Sequence, residues 1–257
     1  MGCSSTRHSG VPVRETARCS ERDNPALHGQ APLVVSYFSK KSLTFLRGLH
    51  RNNSKAWFDE HRSEYQEHWR EPYLALAEDL CEAISLGEPE YELDPKRAIY
   101  RINRDIRFSN DKTPYKTNLG ITIGRREKHD PSWPAYTVRL GFDGIAIGGG
   151  LYMPEAELRD QVRRWFAANP TQSAVAPNDP AFAKHFKEIR GERNKRLPRD
   201  LAALAADEPL VFNKQWIFWA EWPDMKLLLD PDLDRFIVER WHAGRALNDV
   251  LKRAVAR

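Results

Sequence analysis

A chain of 257 residues with 41% apolar side chains, eight Trp and eleven Phe can fill a sizeable core, which excludes disorder over most of its length. No run approaches the ~18 consecutive apolar residues of a bilayer-spanning helix, so the sequence reads as soluble, without a transmembrane segment. The net charge of +4 is mild and argues against a generally basic nucleic-acid binder, but it is unevenly spread: Lys96 to Arg126 holds nine Lys or Arg against only Asp105 and Asp111.

Residues 1–34 are polar, rich in Ser, Arg and Pro, and read as a disordered tail. Their opening, Met1-Gly2-Cys3-Ser4-Ser5-Thr6, fits an N-myristoylation pattern with an adjacent palmitoylation candidate; the pattern is short, and an ordinary tail is the more economical reading. No apolar h-region marks a secretory signal. Cys3, Cys19 and Cys81 are too few and too scattered for a disulfide framework or a zinc cage, so a reducing, cytoplasmic compartment is expected.

Residues 35–257 are expected to form one α+β domain, with a division near 170 as the alternative. Ser42 is placed to cap a helix bearing Leu43, Phe45, Leu46 and Leu49, which Asn52 and Asn53 break. Ser54 opens a second, with Trp57, Phe58, His61, Tyr65, His68 and Trp69 at helical spacing. Pro72 suits the first turn of a third, carrying Tyr73, Leu76, Leu80 and Ile84. From Ala98 the period changes to two, which predicts a half-buried strand to Phe108. Further strands are expected at 119–125, 136–142 and 145–149, the last two joined by a hairpin at Asp143-Gly144. Gly148 to Gly150 read as a structural turn, or less readily as a backbone approach to a phosphate. Helices are expected from Pro154, near 180–190 and 198–206, and from Asp230 to the end, with an aromatic strand over 211–222. Helices, a strand meander, then helices again predict a mainly antiparallel sheet packed by helices from both ends of the chain around a single core.

The segment Arg101 to Lys116 stands apart. On a strand, Arg101, Asn103, Asp105 and Arg107 would share one face. Two guanidiniums beside one carboxylate form a rigid array that leaves donors for an anion. Arg104 falls on the opposite face, where a lone charge needs a partner. Asp111 and Lys112 return in a loop towards that array, and Tyr115 and Lys116 follow it. Five cations against two carboxylates invite an external anion. The ligand-binding candidates are therefore Arg101, Arg104, Arg107, Asp111, Lys112 and Lys116; Tyr115 and Asp105 are the candidates for catalytic proton handling. No metal-ligand spacing is found, His61 and His68 being too far apart, and no cofactor is specified.

The segment, preceded by Phe45, Leu46, Leu49, Asn52, Asn53, Trp57 and Phe58, resembles the bacterial family known as domain of unknown function 2461. Its Arg-x-x-Arg-Asp-x-Arg-Phe…Asp-Lys-x-x-Tyr signature falls on Arg101, Arg104, Asp105, Arg107, Phe108, Asp111, Lys112 and Tyr115. The similarity runs from about Phe38 to Trp222. Where a Pro-Arg-Gly-Tyr stretch and a His-Pro pair are expected, this chain has Pro198-Arg199-Asp200-Leu201 and Glu208-Pro209. The resemblance implies no activity.

Two functions follow from these residues. The first is an Arg/Lys-rich site for a small phosphate- or carboxylate-bearing ligand, with or without turnover. The alternative is a non-catalytic binding module for nucleic acid or an acidic protein partner, with Trp216, Trp219 and Trp222 as a less favoured stacking platform. A salt-bridge network without any ligand is the purely structural reading.

Overall fold

The computed structural model describes residues 36–91, 93–107, 110–128, 130–204 and 208–256. The expected tail, its lipidation motif, Cys3, Cys19 and Phe108 lie outside them.

Helix α1 (Lys40–Arg51) begins one turn earlier than expected: Ser39 is its N-cap, and Ser42, buried at the third position, accepts the Ser39 N–H at 3.0 Å. Ser54 caps α2 (Lys55–Glu60) as expected, accepting from Trp57 N at 3.3 Å. Pro72 stands in the first turn of a helix, as expected, and Tyr73, Leu76, Leu80 and Ile84 are buried along it, but no break separates that helix from the one before. The backbone passes from α3 (Arg62–Tyr65) through a π turn, Gln66–Arg70, into α4 (Glu71–Gly87). Pro72 lacks an N–H to continue an α ladder, and the wider turn, with Glu71 N bonded to Gln66 O, lies immediately before it. A short helix, α5 (Pro95–Ala98), is capped by Asp94.

Strands β1 (Asn118–Ile123), β2 (Ala135–Gly141), β3 (Gly144–Leu151) and β4 (Trp216–Trp222) form one antiparallel sheet in the order β1-β2-β3-β4. The β2–β3 hairpin closes with Gly141 opposite Gly144, whose φ is +97°, so the two turn residues are Phe142 and Asp143. Gly148 to Gly150 are not a turn. They lie within β3, paired to β2 on one edge and β4 on the other, so their backbone donors belong to the ladder and do not cradle a phosphate.

Alternation gives the sheet two unlike faces. Leu119, Ile121, Tyr136, Val138, Ile145, Ile147, Trp216 and Phe218 are buried in the core. Against that core lies α10 (Leu233–Val255), whose Trp241 Nε1 donates to Thr137 O at 3.0 Å. From the other end of the chain, the α4 hydroxyl of Tyr73 donates to Gly120 O. One cluster of buried side chains runs from Phe38 to Val255, and helices from both ends pack on the sheet. Between β3 and β4 come α6 (Ala156–Ala168), α7 (Val175–Asn178), α8 (Pro180–His185) and α9 (Arg199–Leu204). Among the described residues no helix is long and apolar enough to cross a membrane.

The strand expected over 98–108 is largely absent. Among its described residues the strand-type pairing is limited to isolated bridges, Ile99 with Ile121 and Asn103 with Tyr115. Beyond Arg104 the side chains turn on their own backbone: Asp105 Oδ1 accepts from Arg107 N at 3.2 Å, and Asp111 Oδ1 from Thr113 N at 2.9 Å. Such local bonds compete with a sheet ladder and end it.

Candidate functional site: a cation-lined chamber

Where the 99–104 segment leaves the sheet, it opens a chamber of about 600 Å³ against α2, α3 and the π turn. Six cations line it, Arg62, Arg70, Lys96, Arg101, Lys116 and Lys128, and no carboxylate does among the described residues. Phe58, Tyr65 and Tyr115 add aromatic surface; Tyr115 is 5% exposed and stacks on Phe58 with centroids 4.0 Å apart.

The wall is held by an amide. Asn53 Oδ1 accepts from Tyr115 N at 3.0 Å while its Nδ2 donates to Tyr115 O at 2.9 Å, so one side chain completes the backbone pairing of that residue. Arg104 N to Pro114 O and Lys116 N to Ile102 O, both 2.8 Å, zip the two stretches together. On the helical side the π turn brings Arg70 to the chamber, where its Nη1 is enclosed without a hydrogen-bond partner among the described residues.

Arg62 pairs with Asp59 at 2.5 Å. The other five lining cations make no ion pair among the described residues; Lys128 Nζ donates to Ile99 O at 2.8 Å. Desolvation, followed by the charges of Arg101, Arg104 and Lys128, lowers the Lys116 pKa from its ordinary 10.5. Crowding of like charge therefore registers at Lys116 itself.

The remaining predicted residues do different work. Arg107 and Asp105 form an exposed two-bond pair (Nε to Oδ1 3.0 Å, Nη2 to Oδ2 2.7 Å) outside the lining. That guanidinium holds the Asp105 carboxyl well below the usual carboxylate range, which makes Asp105 a poor proton carrier near neutrality. Arg104, expected to need a partner, finds Asp111 at 3.0 Å. Lys112 Nζ closes the loop on Ile106 O at 2.8 Å. Of the predicted set the structure brings Arg101, Tyr115 and Lys116 to the chamber; it places Arg104, Asp105, Arg107, Asp111 and Lys112 in the loop that braces it. Neither Asp200, paired with Arg164, nor Glu208, bonded to Leu210 N at 3.0 Å, lines it.

Sequence reasoning missed Arg62, Arg70, Lys96 and Lys128. Lys96 stood inside the counted basic stretch and Lys128 just past its end, whereas Arg62 and Arg70 come from segments that only folding brings near. Among the described residues no three His, Cys, Asp or Glu side chains stand together as a metal site.

The family described as conserved hypothetical protein, DUF2461, matches over residues 41–249. No curated protein matches the chain.

Proposed function

The chain belongs to the DUF2461 family, and we propose that it binds a small phosphate- or carboxylate-bearing ligand in the cation-lined chamber. The observation that carries this reading is the lining itself: six Lys or Arg side chains around one cavity with no carboxylate among the described residues. Like charges so placed repel, and a multiply charged anion relieves the repulsion while engaging the donors of Arg70 and Arg101. The phenols of Tyr65 and Tyr115 supply further O–H donors. The cations surround a concavity rather than a flat stripe, which favours a small ligand over a nucleic-acid strand or an acidic protein surface.

Thermal unfolding with phosphate, pyrophosphate and sulfate tests it. An anion at about a hundred times its Kd adds about 2.7 kcal/mol, which raises the Tm of a chain this size by several degrees. The double variant Arg101→Ala/Lys116→Ala is expected to fold and to lose that rise, whereas Arg107→Ala keeps it. Absence of stabilisation by any of the three anions, or a rise undiminished in the double variant, contradicts the reading.

A further inference from the structure

A second cavity, of about 700 Å³, adjoins the first and shares Tyr100 and Lys128 with it. Its floor is the sheet face turned away from the core, and its chemistry is opposite to that of the cation chamber. Two rings pack over glycines of that face. A Cβ on Gly120 would stand 3.2 Å from the Tyr100 ring, and one on Gly148 would stand 2.4 Å from the Trp219 ring. Trp133, Tyr152 and Met153 complete the apolar lining, with Tyr152 and Met153 63% and 67% exposed. Aromatic and apolar side chains of this kind are what line small-molecule pockets. Asp130 also lines the cavity, and its Oδ2 is enclosed yet has no hydrogen-bond partner among the described residues. An aromatic cavity with a spare acceptor suits a flat ring carrying N–H donors, not a plain hydrocarbon.

We propose that the ligand is a nucleoside phosphate, its phosphates in the cation chamber and its heterocyclic base in the adjoining aromatic cavity, with Tyr100 and Lys128 at the junction. This inference rests on the anion reading of the first chamber. The Asp130 carboxylate accepts from the base edge, and the Trp219 and Trp133 rings, which already carry the Arg139 and Arg125 guanidiniums 5.7 and 4.4 Å from their centroids, supply aromatic surface. Of the three β4 tryptophans Trp219 lines this cavity, whereas Trp216 is buried in the core and Trp222 packs on Phe236, so the three do not form a common platform for a strand.

The test is calorimetric titration of the full chain with inorganic pyrophosphate, each of the four common ribonucleoside diphosphates, and a single-stranded oligonucleotide. At least one diphosphate is expected to bind about tenfold or more tighter than pyrophosphate, the gain of one stacked base, and to quench tryptophan fluorescence. Trp219→Ala, and independently the surface change Tyr152→Ser, bring that nucleotide down towards pyrophosphate while leaving pyrophosphate affinity unchanged. If pyrophosphate binds and no nucleotide binds more tightly, this inference fails and the anion site stands. If nothing binds, the anion reading fails with it. An oligonucleotide that binds far more tightly than every mononucleotide also overturns the proposal.

Discussion

Asn53 shows how one side chain can hold the wall of a cavity. The sequence marks it only as the end of α1, yet both its amide atoms serve the backbone of Tyr115, 62 positions away. Asn53→Ala leaves that N–H without its partner and should lower stability by about 1–3 kcal/mol, measured by urea denaturation; a change within error would show that the pairing is replaceable. Lys116 provides a second prediction at this scale. Its folded-state pKa lies below 10.5, so between the two values the unfolded chain binds more protons than the folded one, and stability rises with pH. Relative to Lys116→Met, the wild type should therefore gain stability as pH climbs towards 10.5. Saturating sulfate, whose charge is constant there, should flatten the difference. An unchanged difference with sulfate bound would mean that the anion sits elsewhere. Charge density alone picked out Arg101 and Lys116, which the structure places in the chamber lining; it did not show that Asp105 and Arg107 pair with each other outside it. Period two implied a shared face, but Asx-type bonds from Asp105 and Asp111 broke the strand before that face could form.

At the scale of elements, hydrophobic periodicity found most helices and all four strands, because each had an apolar stripe or alternation to bury. It did not find the π turn. Tyr65, Trp69 and Tyr73 keep a spacing that any continuous helix satisfies, and the extra residue per turn leaves little trace in such a pattern. The glycines of β3 misled for a different reason: Gly148 to Gly150 suggest a bend, whereas the strand keeps them where bulky neighbours lie across the sheet. Another contact invisible to local patterns joins the end of α4 to α10. Glu88, 3% exposed, accepts from Tyr136 OH at 2.7 Å and pairs with Lys252, which also reaches Glu90 at 2.8 Å. Burial would depress the Lys252 pKa, but the Glu88 and Glu90 carboxylates outweigh it and the net shift is upward. Glu88→Ala should destabilise by about 3 kcal/mol, near the low end for a broken buried pair because Lys252 keeps Glu90. Urea denaturation checks it, and a loss below about 1 kcal/mol would show the pair to be dispensable.

For the whole molecule, the sheet is covered on one face by helices from both ends of the chain and bears the aromatic cavity on the other. The cation chamber lies where the irregular 99–104 segment bridges that sheet to α2, α3 and the π turn. Its lining residues span Phe58 to Lys128, which is why the composition of one segment pointed to the region but could not outline the site. A crystal of the full chain soaked in tungstate, a heavy analogue of sulfate, tests the central claim most directly. The account predicts anomalous density in the chamber beside Arg70, Arg101 and Lys116; density only at exposed pairs such as Arg107 with Asp105, or none in the chamber, would contradict it.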